Sequence, residues 1–111
     1  MKDMRNIMTV AWSTKKLRNY TIADTVKAIA KSFSLEDDEK RLLEQILIEF
    51  VLGISAPEFE SPRMPSVAEA LALYRKAVLS KDTFDLGISG ERCSSAIAEE
   101  TLRNYIIVMA K

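Results

Sequence analysis

Apolar residues recur every three or four positions through most of this chain, which is the spacing of amphipathic helices. The pattern predicts helices over residues 3–18, 22–32, 35–52, 67–80 and 91–109. The third of these has the broadest apolar face, so we expect it at the centre of the fold. The chain is therefore predicted to form an all-α, single-domain bundle of about five helices that spans all 111 residues.

Polar residues at the predicted boundaries support these helices. Thr21 and Ser34 are predicted N-caps of the second and third helices, and Gly53 is a predicted C-cap. Ser66 and Glu69 have the spacing of a capping box, in which each side chain binds the other residue's backbone amide. These boundaries leave residues 80–90 as a loop.

The connector between the third and fourth helices, residues 54–65, contains all three prolines of the chain and is predicted to be irregular. Phe59 and Met64 are the large apolar side chains of its stretch from residue 56 to residue 65. Long irregular segments often carry function, so both residues are candidate anchors for a partner. The alternative is that both side chains pack onto the bundle and that the prolines only stiffen the crossing.

The closing run, residues 105–109, is apolar on every side. Such a helix is either enclosed by the core or buries its second face in another subunit, so we expect a homodimer. The same run is rich in strand-forming residues, which leaves a terminal strand as an alternative.

The chain has no histidine and one cysteine, Cys93, which argues against catalysis. Residues 87–91 resemble a nucleophile elbow but end in Glu, and no histidine could deprotonate Ser89, which we interpret as a helix cap. Cys93 lacks a histidine partner and is expected in the core. Glu99 and Glu100 diverge on a helix and form a poor acid–base pair. We predict a non-enzymatic protein with no metal or cofactor.

Charge is strongly segregated along the chain, although the net charge is zero. Residues 1–31 carry seven basic and two acidic residues, and residues 32–66 carry three basic and eight acidic residues. These segments could pair within one chain or between two. The basic segment supplies five candidate contacts to phosphates, namely Lys15, Lys16, Arg18, Lys27 and Lys31. Trp12 or Tyr20 could stack on a base beside them. Nucleic-acid binding is therefore the alternative function, and a solvated basic face is the simpler interpretation.

The favoured hypothesis is stoichiometric binding of another protein, as a regulator, inhibitor or adaptor. The candidate contacts are Phe59 and Met64 in the connector, with Glu36 and Asp37 at the acidic start of the third helix. These acids also stabilise the positive end of the helix dipole, which alone would explain them. No apolar stretch is long enough for a signal peptide or a membrane span, and with a single cysteine this favours the cytoplasm.

A short helix, a run of acids and a Leu/Ile-rich helix follow one another between Ile22 and Ile54. This arrangement loosely resembles the small helical biofilm and acid-response regulators of enteric bacteria. The resemblance covers under a third of the chain, and no residue role is taken from it.

Overall fold

The computed structural model describes residues 3–57, 60–86 and 91–110 and confirms an all-α bundle with one small hairpin. In chain order, the elements within these residues are α1 (Met4–Arg18), α2 (Ile22–Phe33), α3 (Asp37–Leu52), α4 (Val67–Leu79), β1 (Thr83–Asp85), β2 (Arg92–Ser94) and α5 (Ser95–Met109). No helix in this part of the chain is both long enough and apolar enough to cross a membrane.

Helix α3 lies at the centre of the bundle, as its broad apolar face predicts. It packs against α1, α2 and α5, whereas α4 packs mainly against α5. Leu43, Leu47 and Ile48 of α3 are fully buried, together with Ile22 of α2 and Leu102 of α5. The core is therefore built from one central helix and the inward faces of its neighbours.

The predicted caps of α2 and α4 are confirmed. The Thr21 hydroxyl accepts the amide of Asp24, and Ser66 and Glu69 form the full capping box at the start of α4. The prediction for α3 was wrong by two residues. Ser34 is the C-cap of α2 in a left-handed conformation, with φ of 52°, and Glu36 is the N-cap of α3. A turn between two helices needs a residue to end the first, and Ser34 serves that purpose.

The predicted loop before α5 contains a strand, and α5 begins four residues later than expected. β1 pairs with β2 in antiparallel register, with Phe84 opposite Cys93, and both side chains are buried. Their neighbours Thr83, Asp85 and Arg92 are exposed, as the alternation of a strand requires. Pairing of residues 92–94 prevents them from joining the helix, and the Ser94 hydroxyl caps α5 instead of Ser89. Residue 89 lies outside the described residues.

Residues 105–109 are helical, so the alternative of a terminal strand was wrong. Tyr105 is buried, but Ile107, Val108 and Met109 are 52%, 67% and 41% exposed. The core of the described chain therefore does not enclose this end of α5.

The central position of α3 yields a stability prediction with a control on the same helix. Leu47 is fully buried and Leu42 is 41% exposed. We expect Leu47→Ala to lower the free energy of unfolding by about 2–5 kcal/mol, since it leaves a cavity in the core. Leu42→Ala removes the same atoms from a partly solvated site and should cost less than about 1 kcal/mol. Urea unfolding followed by circular dichroism measures both, and equal losses would contradict the assigned packing.

Candidate functional site: an apolar groove at the end of helix α5

An apolar groove of about 300 Å³ lies where the end of α3, the connector and the end of α5 meet. Met64, Val108 and Met109 provide its exposed apolar surface, and Met64 is 48% exposed. Ile54 and Tyr105 also line it, and its polar lining residues are Gln45, Glu49, Thr101 and Asn104. We call this feature the apolar groove. Large apolar side chains grouped on a surface are typical of sites that bind another protein.

The backbone around Met64 is tied down on the side of α3. The Gly53 carbonyl accepts hydrogen bonds from the amides of both Arg63 and Met64, at 2.9 and 2.8 Å. The Arg63 guanidinium donates to the Leu52 carbonyl at 3.1 Å. These bonds hold Met64 in a left-handed conformation with φ of 55°, which is uncommon for a residue with a side chain. The contacts therefore position an apolar side chain at the surface.

Glycine is required at position 53 for two reasons. Its φ is +81°, and a Cβ there would stand 2.5 Å from the Cβ of Arg63. The connector therefore approaches the end of α3 more closely than any side chain would allow. On the other side, the Tyr105 hydroxyl of α5 donates a hydrogen bond to the Pro65 carbonyl. The groove is held by α3 and α5 together.

A second contact attaches the connector to α1. The Glu60 carboxylate accepts hydrogen bonds from the Lys16 ammonium at 2.8 Å and from the Trp12 indole at 3.3 Å. These bonds, chiefly that from Lys16, lower the pKa of Glu60 below its ordinary value of 4.5. The Trp12 ring packs edge-on against Phe50 of α3, with ring centroids 5.3 Å apart. The connector thus crosses the bundle under restraint from three helices.

The four predicted partner contacts do not form one surface. Met64 lies in the apolar groove, whereas Glu36 and Asp37 are exposed at the opposite end of α3. Glu49 of α3 lines the groove, and the rise of the helix places Glu36 about 20 Å from it. Phe59 lies outside the described residues. Of the predicted contacts that the structure describes, Met64 alone lies beside the apolar end of α5.

The five predicted nucleic-acid contacts do not lie on one surface either. Lys15 is 9% exposed and its ammonium bonds the Glu91 carboxylate at 2.6 Å, so it is not on the surface as the hypothesis requires. Lys16 is engaged with Glu60, and Arg18 is exposed at the end of α1. The Lys16–Glu60 pair joins the basic and the acidic segments within one chain. Burial of Lys15 could not be deduced from sequence, since its acidic partner lies 76 residues away.

Lys27 and Lys31 lie together on α2, where they line a second groove of about 510 Å³. Lys40 of α3 also lines it, and the sequence analysis missed this residue because nothing in the local pattern distinguishes it from other surface lysines. We call this feature the lysine groove. Cys93 and Ser94 of the hairpin form part of its lining.

The structure places two of the side chains that were weighed as reactive groups, Cys93 and Glu100. Cys93 is fully buried, and burial, reinforced by the nearby Glu44, Asp85 and Glu91, raises its pKa to about 12. A neutral thiol is a poor nucleophile. Glu100 pairs with Arg41 at 3.1 Å. The described ranges contain no group of three or more His, Cys, Asp or Glu side chains arranged to hold a metal ion.

Comparison of the chain with protein-family models, with curated proteins and with solved structures found no match. The loose resemblance to enteric regulators therefore gains no support from these comparisons, and function must be argued from the chain itself.

The Glu60 contact gives a pH-dependent signal, since Trp12 is the sole tryptophan. A carboxyl with a lowered pKa in the folded state stabilises the fold above pH 4.5 and loses that effect as the pH falls through the lowered value. We expect Trp12 emission to change with a midpoint below pH 4.5 and Glu60→Gln to remove this titration. Glu69→Gln, which retains the capping geometry of α4, is the control. A titration that persists in Glu60→Gln would contradict the contact.

Proposed function

We propose that this protein acts without catalysis, by binding another protein stoichiometrically through the apolar groove. The observation that carries the proposal is the exposure of Met64, Val108 and Met109 side by side in one concave surface. Full burial of such a side chain contributes about 1.5–3 kcal/mol relative to full exposure, and these three are 48%, 67% and 41% exposed, so a partner that covered them would gain about half of that from each.

The restraints on the connector support this assignment. A flexible loop loses conformational entropy when it binds, and this loss weakens the complex. Before Met64 in the chain, the amide and the guanidinium of Arg63 both donate hydrogen bonds to the end of α3. After it, the Pro65 carbonyl accepts a hydrogen bond from the Tyr105 hydroxyl. The side chain is therefore presented by a backbone that is already ordered, so more of the contact energy appears as affinity. The mechanism would be occlusion of the surface that the partner exposes to other molecules.

The polar lining of the groove fits the usual arrangement of a protein interface. Gln45, Glu49 and Asn104 come from α3 and α5 and line the same hollow as the apolar residues. Interfaces commonly combine an apolar centre with polar groups that supply orientation and specificity.

A double substitution tests the groove directly. We expect Met64→Ser with Val108→Ser to weaken partner binding by at least about tenfold, a loss of only 1.4 kcal/mol. The tagged variants would be used to capture partners from the cells that make the protein, with one half of each sample treated with nuclease, and mass spectrometry would quantify the recovered proteins.

The matched control replaces exposed leucines elsewhere. Leu17 and Leu79 are 87% and 84% exposed and do not line the groove, so Leu17→Ser with Leu79→Ser should leave capture unchanged. Equal capture by both double variants would reject the groove as the binding site. Loss of every partner after nuclease treatment would reject protein binding in favour of nucleic acid.

We further propose that a second copy of the chain packs against the exposed end of α5, so that the protein is a homodimer. Ile107 is 52% exposed on a helix whose other face is buried, and it does not line the apolar groove, so a second copy could cover it without occupying that groove. Light scattering should then give a mass of about twice 12.5 kDa for the wild-type chain. Ile107→Ser should shift the equilibrium towards monomer, whereas Leu17→Ser should not. A mass of 12.5 kDa throughout the micromolar range would reject the dimer.

A further inference from the structure

We propose that the lysine groove is a binding site for a small amphipathic anion, namely a carboxylate on an apolar chain such as a free fatty acid. The inference is independent of the proposed protein-binding function, because no residue of this groove lines the apolar groove.

One side of the groove is formed by a continuous stripe of α2, and α3 and the hairpin supply the rest. Ala23, Val26, Lys27, Ala30 and Lys31 follow at the spacing that places residues on a single helix face. A different stripe of α2, with Ile22, Thr25 and Ile29, faces the core. Val26 and Ala30 of the groove stripe also touch the edge of the core, whereas Ala23, Lys27 and Lys31 are exposed. Alanine at two of its positions leaves space that larger side chains would fill.

The interior of the groove suits an apolar chain. Val26 and Ala30 are half-buried, Leu35 is buried, and Cys93 is fully buried against them as a neutral thiol. The volume of about 510 Å³ lies within the range of small-molecule sites. A lining that is mostly apolar with a few polar groups is the common composition of such sites.

Charge complementarity identifies the head group as an anion. Lys27 and Lys31 form no ion pair within the described residues and lie one helical turn apart, where like charges repel. Lys40 adds a third ammonium, and its contact with Asp37 is long, at 3.6 Å, with Asp37 fully exposed. An anion between these lysines would relieve the repulsion.

Glu44 is the acidic residue that lines the groove, and its charge is already engaged. One of its carboxylate oxygens accepts a hydrogen bond from the Ser94 amide at the beginning of α5. The positive end of a helix dipole compensates a carboxylate in that position. The lining therefore retains a positive balance, with three ammoniums against one compensated carboxylate.

The probe for this site is decanoate, with 1-decanol as the uncharged molecule of equal chain length. Each is titrated into the full-length, ¹⁵N-labelled protein, and amide shifts in ¹H–¹⁵N spectra report both the location of binding and the integrity of the fold. We expect saturable shifts within residues 23–35 and at residues 93–94 for decanoate, and at least about tenfold weaker binding of decanol.

Two variants and one control separate head-group recognition from nonspecific binding. Lys27→Gln with Lys31→Gln should weaken decanoate binding at least about tenfold. Ala23→Leu keeps both lysines and a good helix former, and should block the groove by filling it. Lys76→Gln with Lys81→Gln removes the same charge from lysines outside the groove and should leave decanoate binding unchanged.

The proposal would be overturned by equal affinity for decanol and decanoate, by unchanged affinity in the Lys27/Lys31 variant, or by shifts confined to residues 104–109 of the apolar groove. A short oligothymidylate that shifts residues 23–35 while decanoate does not would assign the same lysines to nucleic acid instead. Since the assay uses no protein partner, its failure leaves the proposed protein-binding function standing, and the reverse also holds.

Discussion

Burial of the apolar face of α3 is the constraint on which the rest of this structure depends. Leu43, Leu47 and Ile48 are fully buried on one helix, and three other helices supply the side chains that cover them. A helix with so wide an apolar face is stable only when it is surrounded. α1, α2 and α5 therefore take their positions from α3, and α4 is held in turn by α5. The hairpin closes the remaining side, where Phe84 and Cys93 enter the same core.

The described residues of the connector between α3 and α4 are held by polar contacts to that frame. The Gly53 carbonyl accepts hydrogen bonds from the amides of Arg63 and Met64. The Glu60 carboxylate accepts them from Trp12 and Lys16 of α1, and the Pro65 carbonyl accepts one from the Tyr105 hydroxyl. Each contact involves a different part of the connector, so restraint is distributed along it. Three prolines reduce the conformational freedom of the unfolded segment as well, which lowers the entropy lost on ordering it.

Two surfaces of different chemistry follow from the way α2, α3 and α5 share the core. Each helix buries one stripe, and other stripes of these helices line two of the hollows on the described surface. At the apolar groove, α3 and α5 combine with Met64 to give a mainly apolar surface. At the lysine groove, α2 and α3 combine with the hairpin to give an apolar floor with lysines around it. The proposed protein contact and the proposed anion site therefore share the α3 scaffold without sharing residues. The segregated charges of the sequence are partly joined within the chain, by Lys16 and Glu60.

The sequence by itself determined the helices, because periodic apolar positions and capping residues act over a few neighbouring residues. Thr21, Ser66 and the broad face of α3 were sufficient to predict three of the helices and the central position of one. It also indicated Met64 and the run at residues 105–109 as unusual apolar surface. Strands of three residues are too short to produce a periodic signal, so the hairpin around Phe84 was missed.

Only the tertiary structure decided which distant residues meet. Lys15 is buried because Glu91 stands beside it, Met64 joins Val108 because Gly53 lets the connector approach, and Lys40 joins Lys27 because α2 and α3 pack together. Each of these pairs is separated by more sequence than local rules span. The physical reason is that burial and ion pairing depend on distance in space, which the chain sets only once its apolar faces have packed.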